Sequence, residues 1–132
     1  MGRNIRKAKG RAEGHSFVMY QTRVLRHPKF RALSPRANKA VNYLAAQYQG
    51  TNNGDLCIAW KIARKNGWTS NGSLRSAVRE LIDAGFVVQT RQGGRNSASL
   101  YALTWFAIDE CGGKLDVTPT RVAPNNWLKN GN

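Results

Sequence analysis

Apolar residues return every three or four positions in two stretches of this chain, and two β-prone runs follow the second of them. The clearest run is SLRSAVRELIDAG, where Leu74, Ala77, Val78, Leu81 and Ile82 fall on one stripe of a helix. Ser70 is placed to cap its start and Gly85 lies just past its end, so a helix is predicted over 70–84. In SPRANKAVNYLAAQYQG, Ala37, Ala40, Val41, Leu44 and Tyr48 repeat at helical spacing. Ser34 supplies an N-cap, Pro35 suits the first helical position and Gly50 can close the end, which predicts a helix over 34–49.

Between these two lies a loop, TNNG, in which Asn52, Asn53 and Gly54 read as a plain turn. Asp55, Leu56 and Cys57 suit a brief strand, and IAWKIARKNG a helix over 58–66, stopped at Gly67, with Trp60 and Ala63 facing the core. After the helix at 70–84 the period changes to that of extended chain. Strands are expected at 86–91 and 98–106, joined into a hairpin over about 86–106.

The flanks carry weaker patterns. In residues 16–33 Pro28 interrupts the chain, which predicts a short helix or strand before it and a turn led by Phe30 and Leu33 after it. Residues 1–15 form a basic arm too poor in apolar groups to fold alone. Beyond Ile108, residues 109–132 show no period and are expected to form an extended tail that Trp127 pins back onto the domain of residues 16–108. Trp68, Trp105 and Trp127 are read as core or staple residues.

Charge changes this picture most. The chain has 132 residues, with 21 Lys and Arg against 7 Asp and Glu, and a net charge of +14. Residues 1–39 contribute 11 of the basic residues and one acid. Such an excess calls for an anionic partner, nucleic acid before an acidic membrane. No apolar run approaches the roughly 18–20 residues that a membrane span needs. The basic N-terminus is not followed by an apolar run, so no secretory signal is expected. Cys57 and Cys111 lie far apart with no metal-ligand spacing around them, which fits two free thiols, a cytoplasmic location and no metal. The seven acids are scattered, and no nucleophile–base pair or phosphate loop accompanies them, so neither an enzyme nor a cofactor is expected.

The hairpin tip, Arg91-Gln92-Gly93-Gly94-Arg95-Asn96, bears on function. A turn needs the two glycines to bring the strands together, but it has no need of arginines. Helix, short strand, helix, tight turn, helix, strand, basic turn, strand is the order over residues 33–106. This order, and the phrase SLRSAVRELIDAGFVVQTR within it, resembles a winged helix-turn-helix domain, an α+β fold that is mainly helical with a small β-hairpin. NNGDL and YALTW add a likeness to small winged-helix proteins of bacterial plasmids, phages and integrated elements.

The resemblance implies duplex DNA as partner. In that setting the N-terminal half of the helix at 70–84 enters the major groove, and Asn71, Ser73, Arg75, Ser76 and Arg79 are its candidate contacts. Glu80 and Asp83 face outward later in the helix and limit how far it inserts. Arg91, Gln92, Arg95 and Asn96 of the hairpin reach an adjacent minor groove or its phosphates. Arg3, Arg6, Lys7, Lys9 and Arg11 of the arm add phosphate contacts.

The expected role is a non-enzymatic regulator of transcription or a replication accessory factor of a mobile element, acting as a monomer or weak homodimer. Two other readings stand beside it. The same scaffold can bind a protein or ribonucleoprotein partner, presenting Glu80 and Asp83 to a basic surface, as an inhibitor of a host nucleic-acid enzyme would. Structured RNA is the third, because backbone electrostatics are blind to sequence.

Overall fold

Ser34 and Pro35 begin the first long helix as capping chemistry requires. In the computed structural model, which describes residues 15–128, the Ser34 hydroxyl accepts a hydrogen bond from the Ala37 amide at 3.2 Å. Ahead of this helix come two short ones: α1 (Thr22–Arg26), where the sequence pattern left helix or strand open, and α2 (Pro28–Arg31), where it predicted a turn. Pro28 separates them, and His27 caps the second through its Nδ1, which accepts the Lys29 amide at 3.1 Å.

The capped helix is α3 (Pro35–Ala45), and its buried face is Ala37, Ala40, Val41, Leu44 and Ala45. It stops four residues short of the expected end. Tyr48 is therefore not on the helical stripe; it is half-buried and stacks on Phe106, ring centroids 4.6 Å apart. The competing interaction is visible at Gln47. Its amide accepts from the Cys57 N–H and donates to the Cys57 carbonyl, both at 2.9 Å, as a neighbouring strand would. The open edge of the strand thus draws the chain out of the helix.

That strand is β1 (Leu56–Cys57), followed by α4 (Trp60–Ala63), α5 (Asn71–Ala84), β2 (Val87–Arg91) and β3 (Leu100–Leu103). The second predicted helix, 58–66, shrinks to one turn. Ala59 offers no side-chain cap, and residues 65 and 66 continue only as tight i→i+3 turns to Gly67, where φ is +95°. Ala63 is buried as expected, whereas Trp60 is only half-buried. Helix α5 matches its predicted bounds, with Ser70 accepting the Ser73 amide at 3.1 Å and Gly85 taking the left-handed cap conformation.

The sheet is antiparallel in the order β1-β3-β2. Both strands of the hairpin are shorter than the pattern suggested, and β2 carries a bulge at Thr90. The extra residue turns the Thr90 hydroxyl inward, where it donates to the Gly54 carbonyl at 2.6 Å. Helices α3 and α5 pack on each other and α5 on β2, with Leu74, Leu81, Phe86 and Leu103 among the fully buried residues between them.

One feature was not legible as written in the sequence, and another, the tail held by Trp127, follows the expected course. Asn53, expected in a plain turn, is completely buried and bonds the Leu103 amide and the Leu103 and Ala107 carbonyls at 2.8–2.9 Å. A buried amide holding three backbone groups is a structural rivet, because each would otherwise stay unsatisfied away from water. The tail, residues 109–128, runs back over the domain through short 3₁₀ turns at Cys111–Gly113 and Asn126–Leu128. Trp127 ends fully buried in the same core cluster as Val24, Phe30 and Phe86. Among the described residues no helix is long and apolar enough to cross a membrane.

Candidate nucleic-acid interface

Helix α5 buries one face along its whole length. Its first turn opens into a groove of about 740 Å³ whose far wall is the hairpin loop. Lys61 of α4, Arg75 of α5 and Arg95 of the loop line the groove, and no acidic residue does. Asn71, Gln92 and Asn96 add amides, and the half-buried Trp60 lies with Tyr101 along the inner side.

Each cation is placed by a local cause. Leu74, Ala77 and Val78 must face inward, which leaves Arg75 exposed on the opposite side of the helix. Ala63 anchors the single turn of α4 and leaves Lys61 in solvent. Arg95 and Asn96 form the outermost turn of the loop, closed by the Gly94 amide donating to the Ser97 carbonyl at 2.9 Å. Tyr101 is mostly buried, and burial raises its phenol above the usual range, against the opposing pull of Ser99 and the Arg75 charge.

The expected role of the glycines holds at Gly93 and not at Gly94. The tight turn centres on Arg95-Asn96, and neither glycine takes a left-handed conformation. At Gly93 a β-carbon would lie 2.7 Å from the Ala98 and Ser97 backbone, where the two arms of the loop meet, whereas Gly94 faces open space.

The remaining candidates divide. Asn71, Arg75, Gln92, Arg95 and Asn96 share the groove. Ser73 and Ser76 lie outside its lining, Ser73 half-buried and Ser76 exposed. Arg79 lines a smaller neighbouring depression with Arg75 and pairs loosely with Asp83 at 3.7 Å. Arg91 does not belong to the tip: its Nη2 and Nε donate to the Ala98 carbonyl at 2.8 and 3.3 Å, bracing the base of the loop. Arg3, Arg6, Lys7, Lys9 and Arg11 lie outside the described residues.

Glu80 also departs from its expected outward role. Its two oxygens accept the Ser34 amide at 2.8 Å and the Ser34 hydroxyl at 2.7 Å, clamping the start of α3 to α5. Those bonds, the backbone one first, hold its carboxyl below the usual range, with a small contribution from Arg36 and a small opposing one from burial.

Two positions of the candidate site were missed by sequence reasoning. Lys61 is one of three basic residues in a short segment, with Arg64 and Lys65, and nothing in the local pattern sets it apart from them. Asp116, in the tail, accepts the Gln92 amide at 2.9 Å and donates its own amide to the Thr90 carbonyl at 2.8 Å, so it fixes where the loop leaves β2. No local pattern signals that contact. Comparison with known protein families, with characterised proteins and with solved structures finds no match to this chain.

Proposed function

We propose that the protein is a non-enzymatic duplex-DNA-binding protein built on a winged helix-turn-helix scaffold, serving as a transcriptional regulator or replication accessory factor. In this reading α4 and α5 form the helix-turn-helix, β2 and β3 carry the wing, and β1 completes the sheet. The element order α3-β1-α4-α5-β2-β3 and the sheet order β1-β3-β2 support it.

The observation that carries the reading is the groove between the α5 N-terminus and the loop, with three cations, several amides and no acid in its lining. Helix N-termini present unsatisfied N–H donors and a positive dipole end, so this groove favours phosphate at its rim. Arg75 and Asn71 then face base edges in the major groove, where arginine pairs guanine and asparagine pairs adenine. Lys61, Arg95 and Asn96 contact the flanking backbone.

The protein-binding alternative loses one of its two carboxylates: Glu80 is committed to Ser34, while Asp83 stays exposed beside Arg79.

Selection from a random-sequence duplex pool, repeated at two salt concentrations, tests the proposal. An enriched motif that persists at the higher salt is the expected result. Lys61→Ala should weaken binding evenly across sequences and lower the salt slope by about 1. Uniform binding that salt abolishes, with no enriched motif, would overturn it.

A further inference from the structure

A second cationic surface lies at the other end of α5. Its scaffold is Trp127, whose backbone crosses so close to Gly85 that a β-carbon there would lie 2.6 Å from the Trp127 nitrogen. Around this ring gather the side chains of α1 and α2. The Arg23 guanidinium lies 5.2 Å from the ring centroid while its Nε donates to the Gln21 side chain at 3.0 Å. Lys29 Nζ donates to the Trp127 carbonyl at 3.1 Å, and the His27 ring meets the indole edge-on at 5.1 Å. Arg26 and Arg31, the last residues of the two helices, are exposed and have no ion-pair partner among the described residues.

Basic residues dominate the two short helices. Residues 15–34 contain four Lys and Arg and no Asp or Glu, and Glu80, which touches the end of this segment, is bonded to Ser34. A second copy of this chain would bring the same charges and be repelled, which leaves a polyanion as occupant. Arg23 and Lys29 are already held in place, so they lose little side-chain freedom on meeting phosphates. Arg23 and Arg26 are neighbours at i, i+3 on one helix, which sets them 5–6 Å apart at the β-carbon.

Distance decides whether this surface serves the same duplex as the groove. Helix α5 has 14 residues and is therefore about 21 Å long. A recognition helix inserts its N-terminal end, so its C-terminal end points away from the bound duplex. We infer that the α1–α2 face around Trp127 binds a second duplex segment, so that one molecule bridges two stretches of DNA. The inference rests on the reading of the groove as a duplex site.

The experiment immobilises a duplex enriched in the selection above, saturates it with full-length protein, washes, and adds a fluorescent 30-base-pair duplex at low salt. Wild type should capture the second duplex. Arg26→Glu with Arg31→Glu should hold the immobilised duplex within about threefold of wild type and lose at least tenfold of the capture. Arg26→Gln with Arg31→Gln, which adds no charge, should fall between them, and unchanged circular dichroism checks the fold. Failure of wild type to bind the immobilised duplex would sink the groove reading. Binding of the first duplex without capture of the second would overturn the bridging inference alone, as would capture undiminished in the Glu variant. Poly-L-glutamate that blocks capture as well as unlabelled duplex, at equal charge, would reassign the face to an acidic protein and also overturn it.

Discussion

The two ends of α5 are built from one helix and do opposite work. At the N-terminal end Asn71 and Arg75 look into an open groove, and the helix is capped only by its own Ser70. At the C-terminal end Gly85 is buried under the tail backbone and followed by Phe86, with Phe30 edge-on at 5.2 Å and Trp127 stacked at 6.0 Å. The aromatic end holds the helix rigidly enough for the polar end to present fixed donors to a partner. The aromatic anchor and the candidate groove are thus separated by about 21 Å along a single element.

Substitutions that act at one end only can break this division. Trp127→Ala should have the largest effect, costing about 3–5 kcal/mol of stability through the cavity and the loss of its ring contacts with His27 and Phe86; urea denaturation measures it. Arg75→Ala should leave stability within about 0.5 kcal/mol, since the side chain is exposed. It should cost about 1–3 kcal/mol of binding to the enriched duplex, read by fluorescence anisotropy. If Arg75→Ala unfolded the protein, or left the affinity untouched, the separation of roles would be wrong.

Glu80 sits between the two ends and gives a pH test. Its folded carboxyl is held below the usual range by the Ser34 bonds. Its contribution is therefore full above the carboxylate's unfolded pKa and is lost as pH falls through the lowered folded value. Glu80→Gln should cost about 1 kcal/mol at neutral pH and flatten part of the acid limb of the stability curve. The smallest effect is expected at Arg79. Its exposed pair with Asp83 is worth about 0.3 kcal/mol, and the side chain lies outside the main groove, so Arg79→Ala should change duplex affinity less than Arg75→Ala does.

How much was legible beforehand depended on the range of the interactions. Helix α5 was read correctly at both ends because its stripe, its Ser70 cap and its Gly85 cap all lie within one window. The groove was legible in part: Asn71, Arg75, Gln92, Arg95 and Asn96 carried their chemistry openly. Arg91 was misplaced because a carbonyl seven residues away captures its guanidinium. Asn53 looked like turn punctuation, and its partners are fifty or more residues distant.

What the sequence by itself determined is the set of periodic elements, their caps and the one-signed charge, since each depends on neighbours a few positions apart. Only the tertiary structure decided where α3 stops, that α4 is a single turn, and that Asp116 anchors the loop. It also decided that Trp127 and the cations of α1 and α2 meet at the far end of α5. Those outcomes depend on backbone groups and rings brought together across the chain, where a buried donor without a partner costs more than a residue of helix gains.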